Sequence, residues 1–204
     1  MKLVIVRHGI SADTWDRVVD GDNDPDLSVE GIKGVEKIAP YIDEKQFDYV
    51  YASTLTRAIK TVKILTKNKK KIHRDSRIVE LRMGKWKDEE QEKLDYQRAF
   101  DDLKCVQSNY VDYADDAESF AQIQKRCRSF LNDLLSKYPD KTILVASHGI
   151  AIRALISVIL NVDMDKVMNV NNVAFSEFLF DPQKNYAPRM MSFNSKYPLF
   201  YGKK

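Results

Sequence analysis

Cysteine is nearly missing from this chain. Its 204 residues include two, Cys105 and Cys127, 22 positions apart and with neither metal-ligand spacing nor a pairing pattern. That excludes a disulfide-built scaffold and points to a reducing compartment. Glycine and proline are scarce as well, 7 and 6 residues, so no flexible linker divides the chain and collagenous or low-complexity classes drop out. No apolar run approaches the roughly 18 residues that a membrane-spanning helix needs. The opening segment meets Arg7 after four apolar residues, Leu3 to Val6, too soon for a signal peptide. A cytoplasmic protein with no membrane partner is expected. An excess of one charge is also lacking: 33 Lys+Arg against 30 Asp+Glu leave +3, too mild to imply a nucleic-acid partner. The basic run Lys67 to Lys71 has no interleaved aromatics and reads as a solvated loop.

What is present suffices for a core. Hydrophobic residues make up 44% and aromatics 10%, and the length suits a single domain over residues 1–204. Three apolar runs rich in β-branched and aromatic residues, Lys2 to Val6, Phe47 to Ala52 and Thr142 to Ala146, read as strands. Helical periodicity is predicted from Val29 to Ile42, capped by Ser28, and after the second run through Ala58, Ile59, Val62 and Leu65, with Ser53 or Thr54 as N-cap. It recurs from Asp116 to Leu135 and through Ile150, Ala151, Ala154, Leu155 and Val158. Ala174 to Phe180 and Met190 to Phe193 read as further strands. Apolar strands alternating with helices predict an α/β fold, a mostly parallel central sheet flanked by helices on both faces. The polar stretch 88–115 reads as a partly helical insert outside the sheet.

Two of the three histidines occupy the same kind of place. His8 follows the first strand in Arg7-His8-Gly9, and His148 follows the third in Ser147-His148-Gly149. Both are expected just past the carboxyl ends of parallel strands, where open α/β sheets bind ligands. The glycines Gly9 and Gly149 would let the backbone turn sharply and bring a ligand to its N–H. Arg57 arrives at the same edge in the first turn of a helix, and Arg7 sits beside His8. Helix N-termini attract anions, and guanidinium groups fork onto phosphate oxygens. Two arginines and two imidazoles converging on one crevice make a pocket for a doubly charged anion. His73, in a polar stretch, is expected at the surface.

At this point the residues carry a resemblance. Arg7-His8-Gly9, Leu27-Ser28-Val29-Glu30-Gly31, Ser53-Thr54-Leu55-Thr56-Arg57-Ala58 and Ser147-His148-Gly149 occur in the order seen in the histidine phosphatase superfamily, also called the phosphoglycerate mutase-like family. Glu80-Leu81-Arg82-Met83-Gly84-Lys85-Trp86 is similar to that family's acidic segment, and Glu118-Ser119-Phe120 with Arg126 resembles the helix before its final catalytic strand. The resemblance implies a phosphohistidine mechanism without metal or other cofactor. In it His8 takes the phosphoryl group, Arg7, Arg57 and His148 bind its oxygens, and Glu80 donates a proton to the leaving oxygen and then activates water. A backbone carbonyl is expected to hold the other ring proton of His8, and the two arginines to disfavour its imidazolium. Where the family commonly has an acidic residue and an asparagine, this chain has Ile10 and Thr14, and a usual glycine is Asp88. Thr14 could donate one hydrogen bond to the phosphate, and Gly21 could offer its N–H.

Water and a second substrate hydroxyl are the two acceptors such a phosphoenzyme can use. Leu81 follows Glu80, where glycolytic mutases resembling this chain have an arginine for the substrate carboxylate, and only 68 positions separate Glu80 from His148. Both points favour a phosphatase acting on a small phosphorylated metabolite, the 88–115 insert forming part of a lid. Mutase-type phosphoryl transfer is the alternative. A non-catalytic phospho-ligand or interaction module is the reading of another class, against which Glu80 stands, since such a module has no use for a proton donor.

Overall fold

The order of the strands, not their number, decides where the ligand site lies. The computed structural model describes residues 1–12, 24–82, 118–181 and 188–199. Among these, β1 (Lys2–Arg7), β2 (Tyr49–Ala52), β3 (Ile72–Arg74), β4 (Thr142–Ser147), β5 (Phe175–Leu179) and β6 (Arg189–Ser195) form one sheet in the order β3-β2-β4-β1-β5-β6. The first four run parallel, β5 runs antiparallel to β1, and β6 antiparallel to β5. The expected mostly parallel α/β sheet is therefore present.

Side chains alternate across the sheet, as a two-residue period demands. Leu3, Ile5, Ile143 and Val145 face a core closed by α3 (Phe120–Lys137) and α4 (Gly149–Leu160), while Val4, Val6, Leu144 and Ala146 face a core closed by α1 (Val29–Ile38) and α2 (Thr56–Leu65). Helices thus cover both faces. Each fully buried aliphatic side chain contributes roughly 1.5–3 kcal/mol, so the central strands are held rigidly from both sides.

The ends of the elements have identifiable causes. Ser28 Oγ accepts the Gly31 N–H at 2.9 Å and starts α1; Ser119 and Gln122 form a reciprocal capping box that starts α3. Helix α1 stops at Ile38 rather than Ile42 and passes into a 3-10 turn, Ala39–Tyr41, because Pro40 has no N–H for the helical ladder. Strand β3 was invisible to periodicity, being three residues long beside a lysine run. It pairs with β2 in parallel, and this places His73 half-buried, its ring stacked on Tyr51 at 5.1 Å, rather than free at the surface. The lysine run is likewise anchored: Lys67 and Lys69 pair with Glu44 at 3.1 and 3.2 Å, and Lys70 donates to the Phe47 carbonyl at 2.6 Å.

No helix of the described residues is long and apolar enough to cross a membrane. The 88–115 insert, with Thr14, Gly21, Asp88 and Cys105, lies outside the described residues.

Candidate active site

Strand register brings the two imidazoles together. In the β1–β4 ladder Arg7 stands opposite Ser147, and the His8 N–H donates to the Ser147 carbonyl at 3.0 Å. His8 and His148 therefore leave neighbouring strands at the same level, their ring centroids 4.9 Å apart and their planes tilted by 54°. On the other side of β4, Ala52 stands opposite Ala146, so Ser53 reaches the same edge.

His8 is buried, and its Nδ1 lies 2.6 Å from the Gly9 carbonyl oxygen. A carbonyl only accepts, so Nδ1 carries the proton and Nε2 keeps its lone pair. Burial, then Arg57, then Arg7 push the His8 pKa down to about 3, against the opposing Gly9 hydrogen bond. The expected effect of the arginines is present, but desolvation is the larger cause. The His8 backbone is clamped as well. The Gly9 N–H donates to Thr61 Oγ1 at 3.0 Å, and the Thr61 hydroxyl donates to the Arg57 carbonyl at 2.7 Å, tying the His8 loop to the first turn of α2. Asn172 Nδ2 donates to the His8 carbonyl at 2.8 Å. The next residue, Val173, has φ of 57°, a left-handed backbone that is costly for a β-branched side chain; its N–H donates to the Arg7 carbonyl at 3.0 Å.

His148 has no solvent exposure. Burial, followed by the charges of His8, Arg57 and Arg7, holds its pKa well below the usual histidine range. Its Nε2 lies 2.6 Å from Ser53 Oγ, and its Nδ1 is buried without a hydrogen-bond partner among the described residues. This corrects the expected N-cap of α2. Ser53 is committed to His148, Leu55 is the N-cap without a side-chain bond, and the Asp24 carboxylate caps instead, accepting the Thr56 N–H and hydroxyl, each at 2.6 Å.

Arg57 is the second residue of α2, as expected, and it is buried rather than free at the surface. Burial lowers its pKa, while Glu80 and Asp24 raise it. Its Nη1 is buried with no partner among the described residues. Arg7 Nη1 donates to the Val170 carbonyl at 2.7 Å, and its guanidinium lies against Gly149, where an added Cβ would stand 3.4 Å from Arg7 Cζ. That is ordinary contact, and Gly149 has no left-handed φ. The sharp turn expected of Gly149 is not what it provides; it opens α4 and leaves Arg7 a flat surface. Gly9 does need its bareness, because a Cβ there would come within 2.9 Å of Val35 Cγ2 and 3.0 Å of the Gly31 carbonyl on α1.

Glu80 reaches the same region by another route. Its Oε1 accepts the Leu81 and Ala151 N–H groups at 2.9 and 3.0 Å, and its Oε2 accepts the Ile150 N–H at 3.3 Å. It thus sits on the first turn of the helix that His148 caps, where N–H groups are left free by helix geometry. Arg126 fixes the segment carrying it: Nη1 donates to the Arg77 carbonyl at 2.7 Å and Nη2 to the Glu80 carbonyl at 3.1 Å, while Nε and Nη2 fork onto Glu118 at 2.6 and 2.8 Å. Ser53, Thr61 and Asn172 were missed from the sequence. Ser53 alone carried a signal, its place directly after a strand at the ligand edge. Among the described residues no cluster of three or more His, Cys, Asp or Glu is placed to hold a metal ion.

Comparison with known proteins gives the family. The sequence profile of the histidine phosphatase superfamily (branch 1) matches residues 3–192. Phosphoserine phosphatase 1 of Hydrogenobacter thermophilus is 27% identical over 190 residues, covering 91% of this chain and 89% of its own length. Phosphoglycerate mutase-like protein 4 of Arabidopsis thaliana is 28% identical over 163 residues, covering 76% and 69%. Among solved structures, the Entamoeba histolytica phosphoserine phosphatase in complex with phosphoserine superposes with a TM-score of 0.76 at 25% identity, over 96% of this chain and 97% of that one. Mycobacterial glucosyl-3-phosphoglycerate phosphatase gives 0.79 at 20% identity, over 95% and 98%. The chain belongs to the histidine phosphatase superfamily, branch 1.

Proposed function

We propose that this phosphatase hydrolyses a small phosphorylated metabolite through a phosphohistidine formed on His8. The observation that carries the reading is the His8 tautomer. Gly9 holds the proton on Nδ1 at 2.6 Å, so Nε2 meets the phosphorus with a bare lone pair, and the depressed pKa keeps it bare at neutral pH. Arg7, Arg57 and His148 take the three equatorial oxygens, whose charge they match while the P–O ester bond breaks and the N–P bond forms. The Gly149 N–H completes the oxygen contacts.

Glu80 gives its proton to the leaving oxygen, then accepts one from the water that attacks phosphorus, so that the N–P bond breaks, its electron pair returns to His8 Nε2 and inorganic phosphate leaves. Its Oε2 takes only the long contact from Ile150, so this is the oxygen with room for a proton. Hydrolysis rather than transfer to a second substrate is supported by Leu81, whose side chain is buried in the core and offers nothing to a substrate carboxylate. The free, buried thiol of Cys127 suits the reducing cytoplasm, to which we assign the protein.

Phosphate release from phosphoserine, sugar phosphates, phosphoglycolate and nucleotides, together with acid-quench trapping of labelled enzyme, tests the reading. The wild type is expected to release phosphate and trap label, and His8→Ala to do neither. Isomerisation of 3-phosphoglycerate without phosphate release would favour the mutase reading, and label retained by His8→Ala would remove His8 as nucleophile.

A further inference from the structure

The hydroxyl of Ser53 has one hydrogen to give, and the surrounding bonds decide where it goes. Ser53 is fully buried. Its Oγ lies 3.2 Å from the Leu55 N–H, which can only donate, and 2.6 Å from His148 Nε2. With Oγ already accepting from Leu55, its own hydrogen has a single acceptor among the described residues, the Nε2 lone pair. A neutral imidazole carries one proton, and burial together with four neighbouring cationic or imidazole groups, His8, Arg57, Arg7 and Arg126, keeps His148 neutral. Donated there, the Ser53 hydrogen leaves the proton of His148 on Nδ1, the ring nitrogen that is buried without a partner among the described residues.

We propose that Ser53 is a positioning residue that locks His148 in the Nδ1–H tautomer, so that Nδ1–H, like Arg57 Nη1 buried without a partner among the described residues, is the donor His148 presents to the phosphoryl oxygens. The inference rests on the reading above, in which His148 binds those oxygens. The alternative tautomer would turn a lone pair toward a dianion, replacing an attraction with a repulsion in a water-poor site. The two histidines of the site are therefore set in opposite senses by their partners. Gly9, an acceptor, holds the proton of His8 on Nδ1 and frees Nε2 to attack; Ser53, a donor, occupies Nε2 of His148 and frees Nδ1–H to bind. The orientation of each ring follows from the hydrogen bond on its far nitrogen.

The test begins with the full-length wild type labelled with nitrogen-15. Long-range proton–nitrogen correlation spectra, with His148 assigned by the loss of its signals in His148→Gln, are expected to show protonated Nδ1 and bare Nε2. A proton on Nε2 overturns the proposal, whatever the variants do. In Ser53→Ala the preference is released, and kcat/KM is expected to fall by about 10- to 100-fold, the range for removing an outer partner that orients a histidine ligand, with weaker inhibition by inorganic phosphate. Ser53→Thr, which keeps the hydroxyl, is expected to restore both the spectrum and the phosphate inhibition. If Ser53→Ala leaves the His148 tautomer and phosphate inhibition unchanged while His148→Gln loses activity, the proposal fails and the wider reading stands. If His148→Gln hydrolyses substrate like wild type, the wider reading loses His148 and this inference falls with it.

Discussion

Gly31 presses on the Ile10 backbone so closely that a β-carbon at Gly31 would stand 2.0 Å from the Ile10 carbonyl oxygen. The same contact seats α1 on the loop that carries His8, since Ile10 O also accepts the Ser28 N–H at 2.9 Å. Gly34, one helical turn further along, has no atom within 4 Å of its would-be Cβ. Gly31→Ala is expected to destabilise by about 3 kcal/mol, the upper part of the range for overpacking. Gly34→Ala should stabilise by up to about 1 kcal/mol through helix propensity. Urea unfolding of the two variants checks the pair, and equal midpoints would show that the close approach is not sustained in solution.

The buried neutral histidines make stability depend on pH. The folded pKa of His8 is about 3, below the unfolded value of about 6.5, and that of His148 is also lowered. Between these values the unfolded chain binds the extra protons. Stability is therefore full above about pH 6.5, declines as pH falls, and for His8 stops declining near pH 3. The thermal midpoint should drop on acidification from pH 7 to pH 4.5, and less so in His8→Gln, where one of the two titrating groups is gone. A wild-type midpoint that does not change over this interval would contradict the burial of both rings.

Arg126 holds Glu80 through the backbone rather than touching the phosphoryl site, being forked onto Glu118 with both partners largely covered. Arg126→Ala should lower kcat by about 10- to 100-fold, since small misplacement of a reacting group is costly, while inhibition by inorganic phosphate stays near wild type. Steady-state kinetics on protein checked for folding by circular dichroism separates the two effects. Equal losses in turnover and phosphate affinity would mean that Arg126 supports the whole pocket.

Burial pushes the Cys127 thiol up to about 12, and it is a thiolate that reacts. In a Cys105→Ser background, the native protein at pH 8 should resist a thiol-specific chromogenic reagent, and react once denatured. Rapid native labelling would place Cys127 closer to solvent than the packing of α3 against α4 allows.

Much of this protein was legible before folding was considered. The apolar runs ending at Val6, Ala52 and Ala146 specified strands, because near-continuous burial of β-branched residues suits a sheet covered on both faces. Arg7, His8, Arg57 and His148 could be assigned to one edge, since each follows a strand directly or opens the helix after it. Local chemistry also marked the cap at Ser28. In each case the signal lay within a few residues of the feature.

Tertiary structure alone decided the rest. Whether Ser53 caps its own helix or serves His148 depends on a partner 95 positions away, and no local pattern weighs those options. The docking of Glu80 on the first turn of α4, the anchoring of its segment by Arg126, and the formation of the three-residue β3 all need groups that meet only when the sheet is assembled. Residue type and spacing determine which elements form and what chemistry they bring, because those follow from short-range sterics and burial. Which nitrogen of each imidazole is left free is settled by hydrogen bonds: for His8 from its own neighbour Gly9, for His148 from across the sheet.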